Sequence, residues 1–243
     1  MILNALVALD QQNHGKLQEL TNDLKIGKYM QLSNIAWVLD WNDSLKNFIS
    51  HRVKISSISN PGWCLEVVLD GTDLLAKPFE SIKTDTSEHD WVHCYVKNEI
   101  FYGVGGPGNF SEILHIFCLW ATDNKYLLET SQPLHKIEYD FLWMQNWYHS
   151  QCDGEWEYSC ILCMQTLDFP GWSIDIDVDE TSLAARKFPS ISIHESSSQW
   201  IDCWKEDSPS KFKGRCSSNK VLEVLAIFHR WAKEFRMLRD ISY

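Results

Sequence analysis

The stretch Asn60-Pro61-Gly62-Trp63 returns 109 residues later as Phe169-Pro170-Gly171-Trp172, and that recurrence decides the fold. Pro-Gly is a turn signal. The Trp after it opens an alternating run: Trp63, Leu65, Val67 and Leu69 in the first instance, Trp172, Ile174, Ile176 and Val178 in the second. A period of two puts these side chains on one face of a strand.

Working outward, the same offset pairs Thr72 with Thr181, Leu74 with Leu183, Phe79 with Phe188 and Ile82 with Ile191. It also aligns Trp91-Val92-His93-Cys94 with Trp200-Ile201-Asp202-Cys203. Upstream, Trp37-Val38-Leu39-Asp40-Trp41 matches Trp143-Met144-Gln145-Asn146-Trp147 at an offset of 106. Downstream, Glu112-Ile113-Leu114 and Trp120 match Glu223-Val224-Leu225 and Trp231 at 111. An ordered series whose offset grows only at loops is an internal duplication.

Each copy has one order of elements. An aromatic helix comes first, then strands, then a closing amphipathic helix whose stripe is Ile113, Ile116, Phe117 and Trp120, or Val221, Val224, Leu225 and Phe228. Strands are predicted at 79–86, 91–96 and 100–104, with equivalents at 188–194, 200–204 and 211–214. Asn109, three residues before Glu112, is placed to cap the first closing helix. Strands that follow one another without helices exclude parallel βαβ winding. The expectation is α+β: two similar units, each an antiparallel meandering sheet flanked by an N-terminal and a C-terminal helix. The division is a helical segment at 1–30, a first unit at 31–123, a polar linker at 124–136 and a second unit at 137–243.

Charge narrows the partners. The chain has 33 acidic and 22 basic residues, a net charge of −11. Nucleic acid and anionic membrane both demand a positive surface, so neither is expected, while a basic protein would be attracted. No apolar run approaches the ~20 residues of a membrane span. The apolar start lacks a basic segment and a cleavage site, so no signal peptide is expected, and the eight Cys read as reduced thiols in a cytoplasm.

The chemically suggestive runs are weak. In His149-Ser150-Gln151-Cys152-Asp153-Gly154-Glu155-Trp156-Glu157, Cys152 could act as a nucleophile with His149 as base and Asp153 as orienter. Three common residue types within five positions imply no triad geometry, and an exposed helix-to-strand loop is the plainer account. Cys160 and Cys163 have CxxC spacing but sit in an apolar run without further zinc ligands. The glycines at 103, 105, 106 and 108 precede a helix, yet no Lys-Ser/Thr follows and Pro107 removes a donor, so they read as a tight connection. Acidic runs at Asp85, Glu88 and Asp90, and at Asp175, Asp177, Asp179 and Glu180, lack calcium-loop spacing. Hence no catalytic residue, metal or cofactor is expected. Trp156 and Trp204 have no mate in the other copy and read as exposed aromatics suited to an interface.

The run Trp147-Tyr148-x-x-Gln151-Cys152-Asp153-Gly154-Glu155-Trp156-Glu157, with Thr166-Leu167-Asp168-x-Pro170-Gly171-Trp172, resembles the immunity protein 53 family of bacterial polymorphic-toxin systems. So do Asn60-Pro61-Gly62-Trp63, Lys77-Pro78-Phe79, Asp90-Trp91-x-x-Cys94 and the Gly-Gly-Pro loop at Gly105 in the first copy. The resemblance covers about 33–123 and 138–235, as two fused members. The first copy departs by lacking the Gln-Cys-Asp-Gly loop, the second by lacking the Gly-Gly-Pro loop. The resemblance implies a cytoplasmic protein, not an enzyme, that neutralises a cognate protein toxin by binding it, a basic nuclease being one candidate class. Gln151, Cys152, Asp153, Glu155, Trp156 and Glu157, with Asp85, Glu88 and Asp90, are the expected contact residues. A small-ligand or carbohydrate-binding module on the Trp-rich sheet and a Cys152 hydrolase or transferase are the alternatives.

Overall fold

The computed structural model describes residues 26–45, 51–123 and 136–239. The expected N-terminal segment lies outside them up to residue 25, as does the expected linker except for residue 136. The first unit runs α1 (Ile26–Ser44), β1 (Val53–Ile58), β2 (Gly62–Val68), β3 (Ile82–Asp85), β4 (Trp91–Lys97), β5 (Ile100–Gly105) and α2 (Phe110–Ala121). The second runs α3 (Lys136–Gln151), α4 (Trp156–Ser159), β6 (Leu162–Thr166), β7 (Trp172–Asp177), β8 (Ile191–Ser196), β9 (Gln199–Asp207), β10 (Ser210–Cys216) and α5 (Val221–Arg239). The α+β class and the pair of like units stand as expected.

The two sheets are one. Ten strands lie in the order β3-β4-β5-β2-β1-β6-β7-β10-β9-β8, every ladder antiparallel. The units join through their first strands, with Lys54, Ile55 and Ser56 opposite Gln165, Met164 and Cys163. Side chains complete the seam: Leu162 N–H donates to Ser57 Oγ at 2.9 Å, and Val53 N–H to Thr166 Oγ1 at 3.3 Å. The order reads the same outward from the seam on both sides, which is a pseudo-twofold arrangement. Within a unit the chain leaves β2 for the outer edge and meanders back, so that β5 pairs with β2.

The helices pack on the face bearing Trp63, Leu65, Val67, Trp172, Ile174 and Ile176, all at 0% exposure. Truncating a Trp so buried costs about 3–5 kcal/mol, which identifies these residues as core. Each unit repeats one aromatic cluster. Phe79 meets Phe101 and Trp120 at 5.3 and 5.2 Å, while Phe188 meets Phe212 and Trp231 at 5.3 and 5.4 Å. This explains a difference from the predicted strands at 79–86 and 188–194. Phe79 and Phe188 turn inward, and the strands begin only at Ile82 and Ile191.

The other sheet face carries the alternate residues, largely paired. Lys54 meets Glu66 at 3.1 Å, Lys213 meets Asp175 at 3.0 Å and Lys211 meets Asp177 at 2.8 Å. Trp204 lies here, half-buried, with Arg215 over its ring at 5.8 Å. One pairing records the divergence of the copies: His93 bonds Asp85 in the first unit, and Asp202 bonds His194 in the second. The same two cross-strand positions have exchanged residues and kept the contact.

Gly103 and Gly214 let the closing helices approach the sheet. A Cβ on Gly103 would stand 2.3 Å from Ile113 Cγ2, and one on Gly214 2.5 Å from Val224 Cγ1. Gly214→Ala is therefore expected to cost roughly 1–3 kcal/mol by overpacking, partly recovered when Val224→Ala is added. Gly108→Ala, with nothing within 4 Å of the new Cβ, should stay near neutral. Urea unfolding of the three variants measures this, and equal losses would contradict the close-approach account.

Candidate partner-binding surface

The seam does more than join strands, because each unit's first helix reaches across to the other unit. On α3, Tyr148 is fully buried with its ring 4.9 Å from Trp63, and its hydroxyl accepts from Gly62 N–H at 3.4 Å and donates to the Ile58 carbonyl at 3.3 Å. Gln145 Nε2 donates to the Gly108 carbonyl at 3.1 Å, and Trp63 Nε1 to the Pro107 carbonyl at 3.1 Å. The Gly-Gly-Pro loop is thus a strand-to-helix connection, as expected, and also the socket that receives α3. Neither Gln145 nor Tyr148 stood out as a junction residue in the sequence. Their one signal was departure from the repeat, since the first copy has Leu39 and Asn42 in their places.

The reciprocal junction contains a cleft. Asp43, at the end of α1, hydrogen-bonds Ser218 and lines a cleft of about 270 Å³ with Pro170, Ser198, Ser217 and Asn219. Burial raises the Asp43 carboxyl above its ordinary range, more than its bond to Ser218 lowers it. The indole N–H of Trp172, counterpart of Trp63, has no hydrogen-bond partner here.

The loop after α3 folds on itself. Asp153 Oδ1 accepts from the Glu155 and Trp156 N–H groups, both at 3.0 Å, and these bonds hold its carboxyl below the usual range. Gly154 takes a φ of +97°, the left-handed region where glycine is at no disadvantage. The Glu157 carboxylate accepts from Asp153 and Gly154 N–H, each at 3.1 Å. Trp156 donates its indole N–H to the Asp179 carbonyl at 2.8 Å.

The expectation of an exposed Trp156 is therefore corrected. It is 3% exposed and packs on Trp147 and Tyr148, while Glu157 is 5% exposed. Both are buried because the short α4 turns back onto α3. Gln151 and Cys152 are half-buried, and Asp153 and Glu155 are exposed.

Asp85, Glu88 and Asp90 are exposed on the β3–β4 hairpin of the other unit. Asp90 Oδ1 accepts from Asn109 Nδ2 at 2.8 Å, which ties the hairpin to the Gly-Gly-Pro loop. The same amide donates to Glu112 at 3.1 Å, so Asn109 sits at the N-cap position without the side-chain acceptance expected of it. The two expected groups of contact residues thus lie on different units, linked through the socket.

The thiol chemistry is not assembled. Cys152 Sγ donates to the Tyr148 carbonyl at 3.4 Å, and Asp153 is engaged by backbone rather than set to orient a base. Burial pushes the Cys152 thiol up to about 11. Cys160 is buried and Cys163 half-buried, and among the described residues no group of three His, Cys, Asp or Glu could hold a metal ion. The carbohydrate alternative meets a Trp set whose most conspicuous members, Trp63 and Trp172, are inaccessible.

The family model for immunity protein 53 matches residues 35–122 and again residues 141–233. No curated protein and no solved structure matches the chain. The two matches span well over half of the sequence, and the chain belongs to the immunity protein 53 family as two tandem copies.

Two outcomes follow from this geometry. At pH 8, iodoacetamide should alkylate Cys152 roughly a hundredfold more slowly than an unshifted thiol, because so little of it is thiolate; labelling as fast as a free cysteine would contradict its environment. Tyr148→Phe should lower stability by about 1 kcal/mol through loss of the bridge to Ile58 and Gly62, and an unchanged urea midpoint would contradict that.

Proposed function

We propose that this chain is an immunity protein that binds a cognate protein toxin and neutralises it by contact, without catalysis of its own. Membership of the immunity protein 53 family is the observation that carries the reading. The net charge of −11 supports a basic partner, with a nuclease as one class, since such a field speeds the encounter with a positive surface. Among the described residues no helix is long and apolar enough to cross a membrane. The cytoplasm, where the chain would meet a toxin acting on its own cell, is the compartment that suits this role.

Gln151, Cys152, Asp153 and Glu155, with Asp85, Glu88 and Asp90, are the proposed contact residues. Trp156 and Glu157 serve the surface from beneath, by holding the loop in shape.

Co-expression with the toxin domain encoded beside this chain is the test. Cells should survive, and the pair should co-elute on a sizing column. The association rate should fall by at least about tenfold between low and high salt, as screening of a steered encounter requires. Continued killing with no complex would end the proposal.

A further inference from the structure

We infer that the partner docks on a surface centred on Tyr158 and Ile161 and edged by Asp153, Glu155 and Glu180, and that the face it presents there is rich in lysine and arginine. The inference rests on the toxin-binding reading above. Tyr158 and Ile161 are the most exposed large apolar side chains among the described residues, at 68% and 56%. They stand at the end of α4 and just before β6, where their neighbours Trp156, Glu157, Cys160 and Leu162 are all buried. The backbone beneath them is well held. Cys160 N–H donates to the Trp156 carbonyl at 3.0 Å, and Ile161 N–H to Asp177 Oδ2 at 2.8 Å. A rigid turn that keeps a tyrosine and an isoleucine in water loses little order on binding, and tyrosine is an enriched anchor at interfaces.

The surrounding charge selects the occupant. Asp153 and Glu155 are exposed in the loop that leads into α4. Glu180 is brought near α4 because the carbonyl of Asp179, next to it, accepts the Trp156 indole N–H. All three carboxylates are exposed or at the surface, and none takes part in an ion pair among the described residues. The carboxylates of the adjoining sheet face are different, since Asp175 and Asp177 already hold Lys213 and Lys211. An apolar centre within an acidic rim fits a basic protein face whose cations find partners at the edge while its apolar atoms cover the middle.

Among the described residues, the first unit does not repeat this surface at the position of Ile161. At the offset of 109 residues, the position of Ile161 is occupied in the first unit by Arg52, which is 1% exposed. Its guanidinium is turned inward to the Val68 and Asp70 carbonyls at 3.1 and 2.8 Å.

The experiment measures affinity for the toxin domain encoded beside this chain, using the full chain and four variants. Tyr158→Ser with Ile161→Ser should weaken binding at least about a hundredfold. Glu155→Lys and Glu180→Lys should each weaken it about tenfold, less so at high salt. Phe169→Ser, at an exposed aromatic in the β6–β7 turn at the other end of the sheet, should bind as the parent does. Circular dichroism and the melting midpoint should be unchanged in the Ser pair, both side chains being more than half exposed. If the parent binds but the Ser pair and the charge reversals bind equally well, the surface is elsewhere and the toxin-binding reading survives. If the parent itself does not bind, that reading falls and this inference with it.

Discussion

Everything in this molecule hangs on the pairing of β1 with β6. Antiparallel pairing of two equivalent strands about a pseudo-twofold axis turns two half-sheets into one and removes two edges that would otherwise lie open. It also decides which loops meet. With the first strands back to back, the first helix of each unit lies against the other unit's strand-to-helix connection. Tyr148 and Gln145 therefore reach Gly62 and Pro107–Gly108, while Asp43 reaches Ser218. The remaining edges, β3 and β8, carry Lys83, Asp85, His194 and Glu195, and β8 is interrupted by a bulge after His194. Such features discourage pairing with another chain.

The duplication and its elements were legible because the repeated positions are dictated by backbone and core. Pro-Gly turns, the alternation from Trp63 and Trp172, and the helical stripes at Ile113 and Val224 admit few other readings. The seam was not legible. Val53-Lys54-Ile55-Ser56 is as good an outer strand as an inner one until the partner strand is known. Trp156 was misread for a related reason. Recurrence was the mark of a core tryptophan, and a residue unique to the second copy carried no such mark. Nothing in the sequence marks Tyr158, whose exposure beside the buried Trp156 and Glu157 arises only in the fold. The exchange of His and Asp between Asp85/His93 and His194/Asp202 was hidden as well, since alignment alone shows two mismatches where the fold shows one retained contact.

The two junctions, equivalent by symmetry, have diverged. One keeps the Gly-Gly-Pro socket of the first unit against α3 of the second, closed by Gln145 and, at Gly62, by Tyr148. The other has a serine-lined cleft and an indole N–H at Trp172 without an acceptor. A buried unsatisfied polar atom costs on the order of 1–3 kcal/mol, and each junction holds one, Trp172 Nε1 at this one and Gln145 Oε1 at the first. What distinguishes the first junction at the surface is the α4 turn, with its acidic loop and two outward apolar side chains. Among the described residues, the duplicated scaffold thus presents one surface of this kind.

That one-sidedness is the central claim, and the stoichiometry of the complex tests it most directly. Native mass spectrometry of the full chain with an excess of the toxin domain encoded beside it should give one toxin domain per chain at every ratio. Two toxin domains per chain, with equal affinity, would mean that both units bind and would contradict the account.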